Sequence, residues 1–170
     1  MLSTGYNKTM SMIIVLAVLF AGLFVGAFLS KRRFGLLGLA LTAGATLSTI
    51  WQDSAELVVS MTGLVSSGPL TAAVTLCLII LLPAIILLFH GYTYKENAAR
   101  AIGSLLFAIL AVAFLVVPLG NALTLEGSTA AVYEWVLANR EIIISIGVVL
   151  AIIDLFFTKP AKLAEKDKKR

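Results

Sequence analysis

Residues 148–160 read VVLAIIDLFFTKP, an apolar stretch that only Asp154 interrupts before Lys159. A carboxylate in such surroundings supports one of two chemistries. It is a proton or ion site, since a charge within an apolar span is costly and by default functional, or it marks where the run meets water. His90, the only histidine, closes another apolar run, and Arg100 borders the next. Asp154, His90 and Arg100 are therefore the candidate intramembrane polar site. Covalent catalysis asks for more: a nucleophile, a partner base and an orienting group. With one histidine no second base is evident, and no Walker loop, H-E-x-x-H or dinucleotide fingerprint occurs. A protease built on two intramembrane carboxylates needs a second acid in a span, and only Asp154 lies in one. The expectation is no enzyme, no cofactor and no metal. Cys77, the single cysteine, cannot form an intrachain disulfide or a zinc site by itself. It reads as a small buried hydrophobe.

The elements that must position these groups follow from composition. Of 170 residues, 60% are hydrophobic and 13% charged, and the mean hydropathy is +1.03. That is too little polar surface to cover a globule in water, where about a quarter of residues are charged. Five apolar runs, 10–30, 34–51, 69–90, 101–119 and 142–158, each match the roughly 20 residues needed to span a bilayer. The fold class expected is all-α: a polytopic integral membrane bundle of five transmembrane helices over 1–158, with a basic cytoplasmic tail at 159–170. The first run is not read as a signal peptide. It is longer than the usual apolar region of one, lacks an A-x-A site and is followed at once by KRR.

Net charge is +4, but the basic residues are placed as a topology signal rather than as a nucleic-acid patch. With the N-terminus outside, the inner segments hold Lys31, Arg32, Arg33, Lys95, Arg100 and the six basic residues of the tail; only Lys8 and Arg140 lie outside. This bias sets a plasma-membrane, multi-pass protein with a cytoplasmic C-terminus. Lys162, Lys166, Lys168, Lys169 and Arg170 would touch anionic lipid at the cytoplasmic face, at about 1 kcal/mol per residue. The outer loops carry Asp53, Glu56, Glu126, Glu134 and Glu141. In SAELVVSMTGLV and STAAVYEWVLANR the apolar residues recur at helical spacing, which predicts two short amphipathic surface helices. Trp51, Tyr133 and Trp135 stand where interfacial aromatics belong.

Helix packing is written in small residues. Gly22 and Gly26 form G-x-x-x-G in the first run, and the second run carries Gly35, Gly38 and Gly44. The expected use is packing of the first two helices on each other; the other use is a face for a second copy of the chain. Pro83 and Pro118 fall inside runs, where neighbouring helices tolerate a kink. Depth bears on Asp154. Five residues separate it from Lys159, about 7–8 Å of helix rise, so it lies nearer the inner boundary than the midplane. His90, Arg100 and the KRR block share that layer. Asp154 then reads as an anchor paired with an inner-face base or solvated there.

Two stretches resemble the colicin V production protein (CvpA) family of small bacterial inner-membrane proteins. KRRFGLLGLALTAGATLSTIW is similar to the family's basic, glycine-bearing start of its second helix. NAARAIGSLLFAILAVAFLVVPL is similar to its arginine-then-glycine start of a later helix, with Arg100 and Gly103 at the matching positions. The family pattern has four helices where five are counted here, and its acid before the arginine is replaced by Ala99. The resemblance implies a non-enzymatic role in the bacterial envelope, associated with bacteriocin export and membrane homeostasis, and transfers no catalytic residue. The expected function is an accessory or scaffold protein whose partners are the bilayer, anionic lipids, and a second copy or another membrane protein. The alternative is a small ion- or proton-coupled transporter or channel using Asp154 and His90. A polar path would have to come from Thr42, Thr46, Ser48, Thr75 and Ser145.

Overall fold

A computed structural model describes residues 3–52, 54, 61, 68–91, 93–94, 96–122 and 128–157. They form five helices: α1 (Ser3–Ser30), α2 (Phe34–Ile50), α3 (Pro69–Phe89), α4 (Asn97–Ala122) and α5 (Ser128–Phe156). Among the described residues the only β pairing is an isolated antiparallel bridge between Arg32 and Thr93. Among the described residues three helices are long and apolar enough to cross a membrane, over Leu70–Phe89, Asn97–Gly120 and Tyr133–Phe156. The apolar parts of the other two, Leu16–Ser30 and Phe34–Ile50, are shorter.

Local chemistry sets the boundaries. Pro69 occupies the first turn of α3, where its missing N–H costs nothing. The helix ends at His90 and Gly91; Gly91 takes a φ of +129°, which side chains rarely adopt. Its open side also admits Leu36 of α2. Lys31 ends α1 with a φ of 57°, turning the chain straight into α2. Its carbonyl accepts the Tyr94 N–H at 2.9 Å, so the α1–α2 turn pairs with the α3–α4 loop. Pro83 and Pro118 lie within α3 and α4 without ending either.

The helices α2 and α4 pack on each other, and α3 and α5 each pack against both. The first helix lies on α4, grazes α3 and α5, and does not contact α2 among the described residues. The core sits between α2 and α4, with Phe34, Leu37, Leu41, Phe107, Leu110 and Leu115 fully buried. The peripheral helices point large apolar groups outward, among them Leu78, Leu82 and Ile86 on α3 and Ile142, Ile146 and Ile153 on α5. A bundle as apolar outside as inside is one solvated by lipid tails rather than water.

Successive helices run in opposite directions. The C-terminal ends of α1, α3 and α5 therefore meet the N-terminal ends of α2 and α4 in one layer, held by the contacts described below.

Two expectations are corrected here. The segment 128–140 is not a separate surface helix; it is the first half of the 29-residue α5. No proline or glycine lies between 128 and 146 to break it, and Asn139 bonds its side chain back to the Trp135 carbonyl within the helix. The amphipathic spacing was real, but a change of face polarity does not end a helix. In addition, α1 lies on α4 and not on α2, so Gly22 and Gly26 do not join the first two helices. The other expected surface helix, apart from Ser54 and Met61, the last residue of the fifth run and the basic tail 159–170 lie outside the described residues.

Candidate functional site

A helix end leaves backbone donors or acceptors unsatisfied, and in apolar surroundings each one is costly. The layer around Asp154 answers that problem helix by helix.

At the N-terminus of α2, Arg33 has extended backbone and gives no side-chain cap. The cap comes instead from distant parts of the chain. The Phe34 N–H donates to the Tyr94 hydroxyl at 3.1 Å, and the Gly35 N–H donates to Oδ2 of Asp154 at 2.8 Å. A carboxylate here also meets the positive end of the helix dipole. The Tyr94 hydroxyl hydrogen-bonds Asp154 as well. Burial pushes the Tyr94 phenol above its ordinary value; the Asp154 charge and hydrogen bond add to this, while the Phe34 N–H and Arg33 act against it.

Glycines make the approach feasible. A Cβ on Gly35 would lie 2.5 Å from the Ala151 carbonyl oxygen and 2.8 Å from Leu155 Cγ, so α5 comes close enough for Asp154 to reach α2. A Cβ on Gly103 would lie 2.7 Å from the Tyr94 ring, so α4 yields the space that ring fills.

The C-terminal carbonyls of α1 and α3 are met by guanidinium groups, which suit the negative end of the dipole. Arg32 donates from Nε to Leu88 O at 3.0 Å, from Nη2 to Phe89 O at 2.6 Å, and from Nη1 to Gly91 O. Arg100 donates from Nε to Phe28 O at 2.5 Å, with its Cζ 3.8 Å from the centre of the Phe28 ring. Arg33 reaches the backbone carbonyl of Asp154 at 3.4 Å and lies 5.3 Å over the Tyr94 ring.

Of the three residues predicted to form a polar site, Asp154 and Arg100 occupy this layer, but on different helix ends. His90 caps α3 through its backbone, and its exposed ring makes no hydrogen bond among the described residues. The scattered hydroxyls turn inward on their own helices: Thr42 bonds Gly38 O, Thr46 bonds Thr42 O, Ser48 bonds Ala45 O, and Thr75 bonds Thr71 O. Ser145 is exposed on α5. The packing glycines divide. Gly35 and Gly38 face α5, and Gly44 faces the Ile80 backbone of α3, whereas a Cβ on Gly22 or Gly26 would meet nothing within 4 Å. Among the described residues no three potential metal ligands cluster.

Sequence reasoning missed Tyr94 and the space that Gly103 leaves for its ring, and it gave Arg140 no site role. Tyr94 had a signal: it stands in GYTYKENAAR, on the same side as KRR. Arg140 was assigned to an outer loop but belongs to α5. No family model matches the chain, and no curated protein or solved structure matches it either.

Proposed function

We propose that the chain is a non-enzymatic accessory or scaffold protein of a bacterial plasma membrane. It crosses five times, with the N-terminus outside and the C-terminus in the cytoplasm. The observation that carries this reading is the use of charge around Asp154. Its carboxylate caps α2, and Arg32 and Arg100 cap α3 and α1. Groups spent on backbone hold helices in place and offer little to a passing ion. The layer then works as a clamp that fixes five helix ends into one platform, next to a basic tail suited to anionic lipid or a cytoplasmic partner. The resemblance to the colicin V production protein family points the same way, toward an envelope role.

The test is recovery of the full chain in a gentle detergent, with bound proteins identified by mass spectrometry. A reproducible membrane-protein partner or a second copy is expected. Reconstituted vesicles provide the contrary outcome: proton- or ion-coupled flux in the wild type that disappears in Asp154→Asn replaces the scaffold with a transporter. Cysteines introduced at Gly127 and at the C-terminus should react from opposite sides of the membrane. Reaction from one side ends the five-span arrangement.

A further inference from the structure

Away from the Asp154 layer, α2, α3, α4 and α5 line a partly open cavity of about 140 Å³, at whose mouth Thr49 and Gln52 are exposed. Its polar wall is formed by Ser48 and Thr49 of α2, by Gln52 just past the end of that helix, and by Arg140 of α5. Arg140 stands 14 residues before Asp154 in the same helix, about 21 Å along its axis. Its Nε is buried and has no hydrogen-bond partner among the described residues. A buried guanidinium donor without an acceptor carries the full desolvation cost of the group. A charge inside a helix long and apolar enough to cross a membrane marks a site unless something neutralises it.

The rest of the lining says what would fit. Ser48 and Thr49 donate their hydroxyl protons to Ala45 O and Thr46 O, so toward the cavity they offer lone pairs. Pro118 also lines the cavity and has no N–H for the Phe114 carbonyl one turn back, and Phe114 belongs to the same wall. The cavity therefore presents a cation and the Gln52 amide as donors, beside several acceptors. Its size is about that of a cavity that holds benzene. That is room for a phosphate or carboxylate group carrying a hydroxyl or two, and too little for a large solute.

We propose that this cavity binds a small oxyanion, a phosphate or carboxylate group, with Arg140 as its anchor. The group comes either from a free solute or from the headgroup of an anionic lipid. The planar fork of arginine suits both forms. The site is independent of the scaffold reading, since it rests on the geometry of the four helices and not on any partner.

The test uses the full chain in a nonionic detergent, titrated with inorganic phosphate and with glycolate, and the same chain in nanodiscs of phosphatidylcholine with or without phosphatidylglycerol. Thermal midpoint and calorimetry are the readouts. Saturable binding is expected in one arm: in detergent for a free ion, or only in phosphatidylglycerol discs for a headgroup. Arg140→Gln should weaken it roughly 10- to 100-fold. Ala45→Leu, which fills the cavity without touching a charge, should do the same, so a folding defect in one variant leaves the other as the test. Three results overturn the proposal. One is no saturable binding in any arm. Another is equal binding by wild type and both variants. The last is binding that emerges only after Asp53→Asn and Glu56→Gln, which would give Arg140 an acid of its own chain as partner.

Discussion

Around Asp154, an acid and two arginines donate to or accept from the backbone at the ends of three helices. Some 21 Å along α5, Arg140 has a buried Nε with no acceptor among the described residues. The same kinds of residue thus do opposite things. Charge tied to a helix end replaces water that an apolar medium cannot supply, so its removal should cost stability. Charge left over in a cavity replaces nothing, so its removal should cost binding and leave stability alone. The contrast also separates two reasons for finding an ionisable group inside an apolar run, which the sequence pattern alone does not distinguish.

Within the Asp154 layer the largest effect should come from Gly35→Ala. The added methyl falls 2.5 Å from the Ala151 carbonyl oxygen and within 3.0 Å of the Leu155 amide, and backbone atoms cannot swing aside. The helices α2 and α5 must separate, which also draws Asp154 away from the Gly35 N–H. A loss of about 3 kcal/mol is expected, the upper end of ordinary overpacking, read from thermal unfolding of the helices in detergent by circular dichroism. Gly22→Ala and Gly26→Ala are the controls. They meet nothing within 4 Å, and their midpoints should hold or rise slightly, because alanine is the better helix former. Equal gains in all three would mean that propensity rather than contact governs these positions.

Next comes Asp154→Ala, which removes a charged acceptor from the start of α2. A hydrogen bond to a charged group is worth about 1.5–3 kcal/mol, so a loss of about 2 kcal/mol is expected. Asp154→Asn keeps an acceptor oxygen and should lose about half as much. An unchanged midpoint in Asp154→Ala would move Asp154 out of the structural class and make the two ends of the bundle alike.

How much of this was legible in the sequence depends on how far the decisive contact lies along the chain. The boundaries of α2 and α3 were readable because their signals are local: KRR between two apolar runs, Pro69 at a start, Gly91 at an end. The length of α5 was not. Its first half alternates polar and apolar faces and its second half is apolar all round, so the two read as different objects although the backbone continues. Asp154 was read as an inner-face anchor, paired with a base or solvated; its bond to the start of α2 was not foreseen. Its acceptor role at the Gly35 amide joins residues 119 positions apart, and a backbone N–H leaves no letter in the sequence. Gly22, Gly26 and Gly44 are the same letter in similar runs. Only the positions of α3 and α4 decide that Gly44 faces a backbone and the others do not.

A smaller effect should follow from Tyr94→Phe, which takes the hydroxyl from the Phe34 N–H and from Asp154 at once. About 1 kcal/mol is expected. The pH dependence gives a sharper signature. The folded phenol is held above its ordinary value, by burial first and by Asp154 second. Its contribution to stability is therefore fully present below pH about 10, the unfolded value, and is lost as pH rises through the folded one. Wild type should lose stability on that alkaline branch more steeply than Tyr94→Phe. Parallel curves would remove Tyr94 from the capping network.

The smallest effect on stability is expected at the other end, from Arg140→Gln. Glutamine retains an amide that can face the cavity and removes the charge. Since the Arg140 Nε has no acceptor among the described residues, no bond to the described protein is broken, and the desolvation cost of a buried donor is relieved. The midpoint should stay within about 0.5 kcal/mol of wild type or rise. A fall of about 1.5 kcal/mol or more would mean that the guanidinium is already satisfied, and that both ends of the bundle spend their charge on structure. The discriminating measurement is the same comparison with saturating oxyanion. A ligand that binds only the folded state raises the midpoint with its concentration, so wild type should climb while Arg140→Gln stays level. Asp154→Ala, once corrected for its lower starting point, should climb as wild type does, because the cavity wall does not include the Asp154 layer.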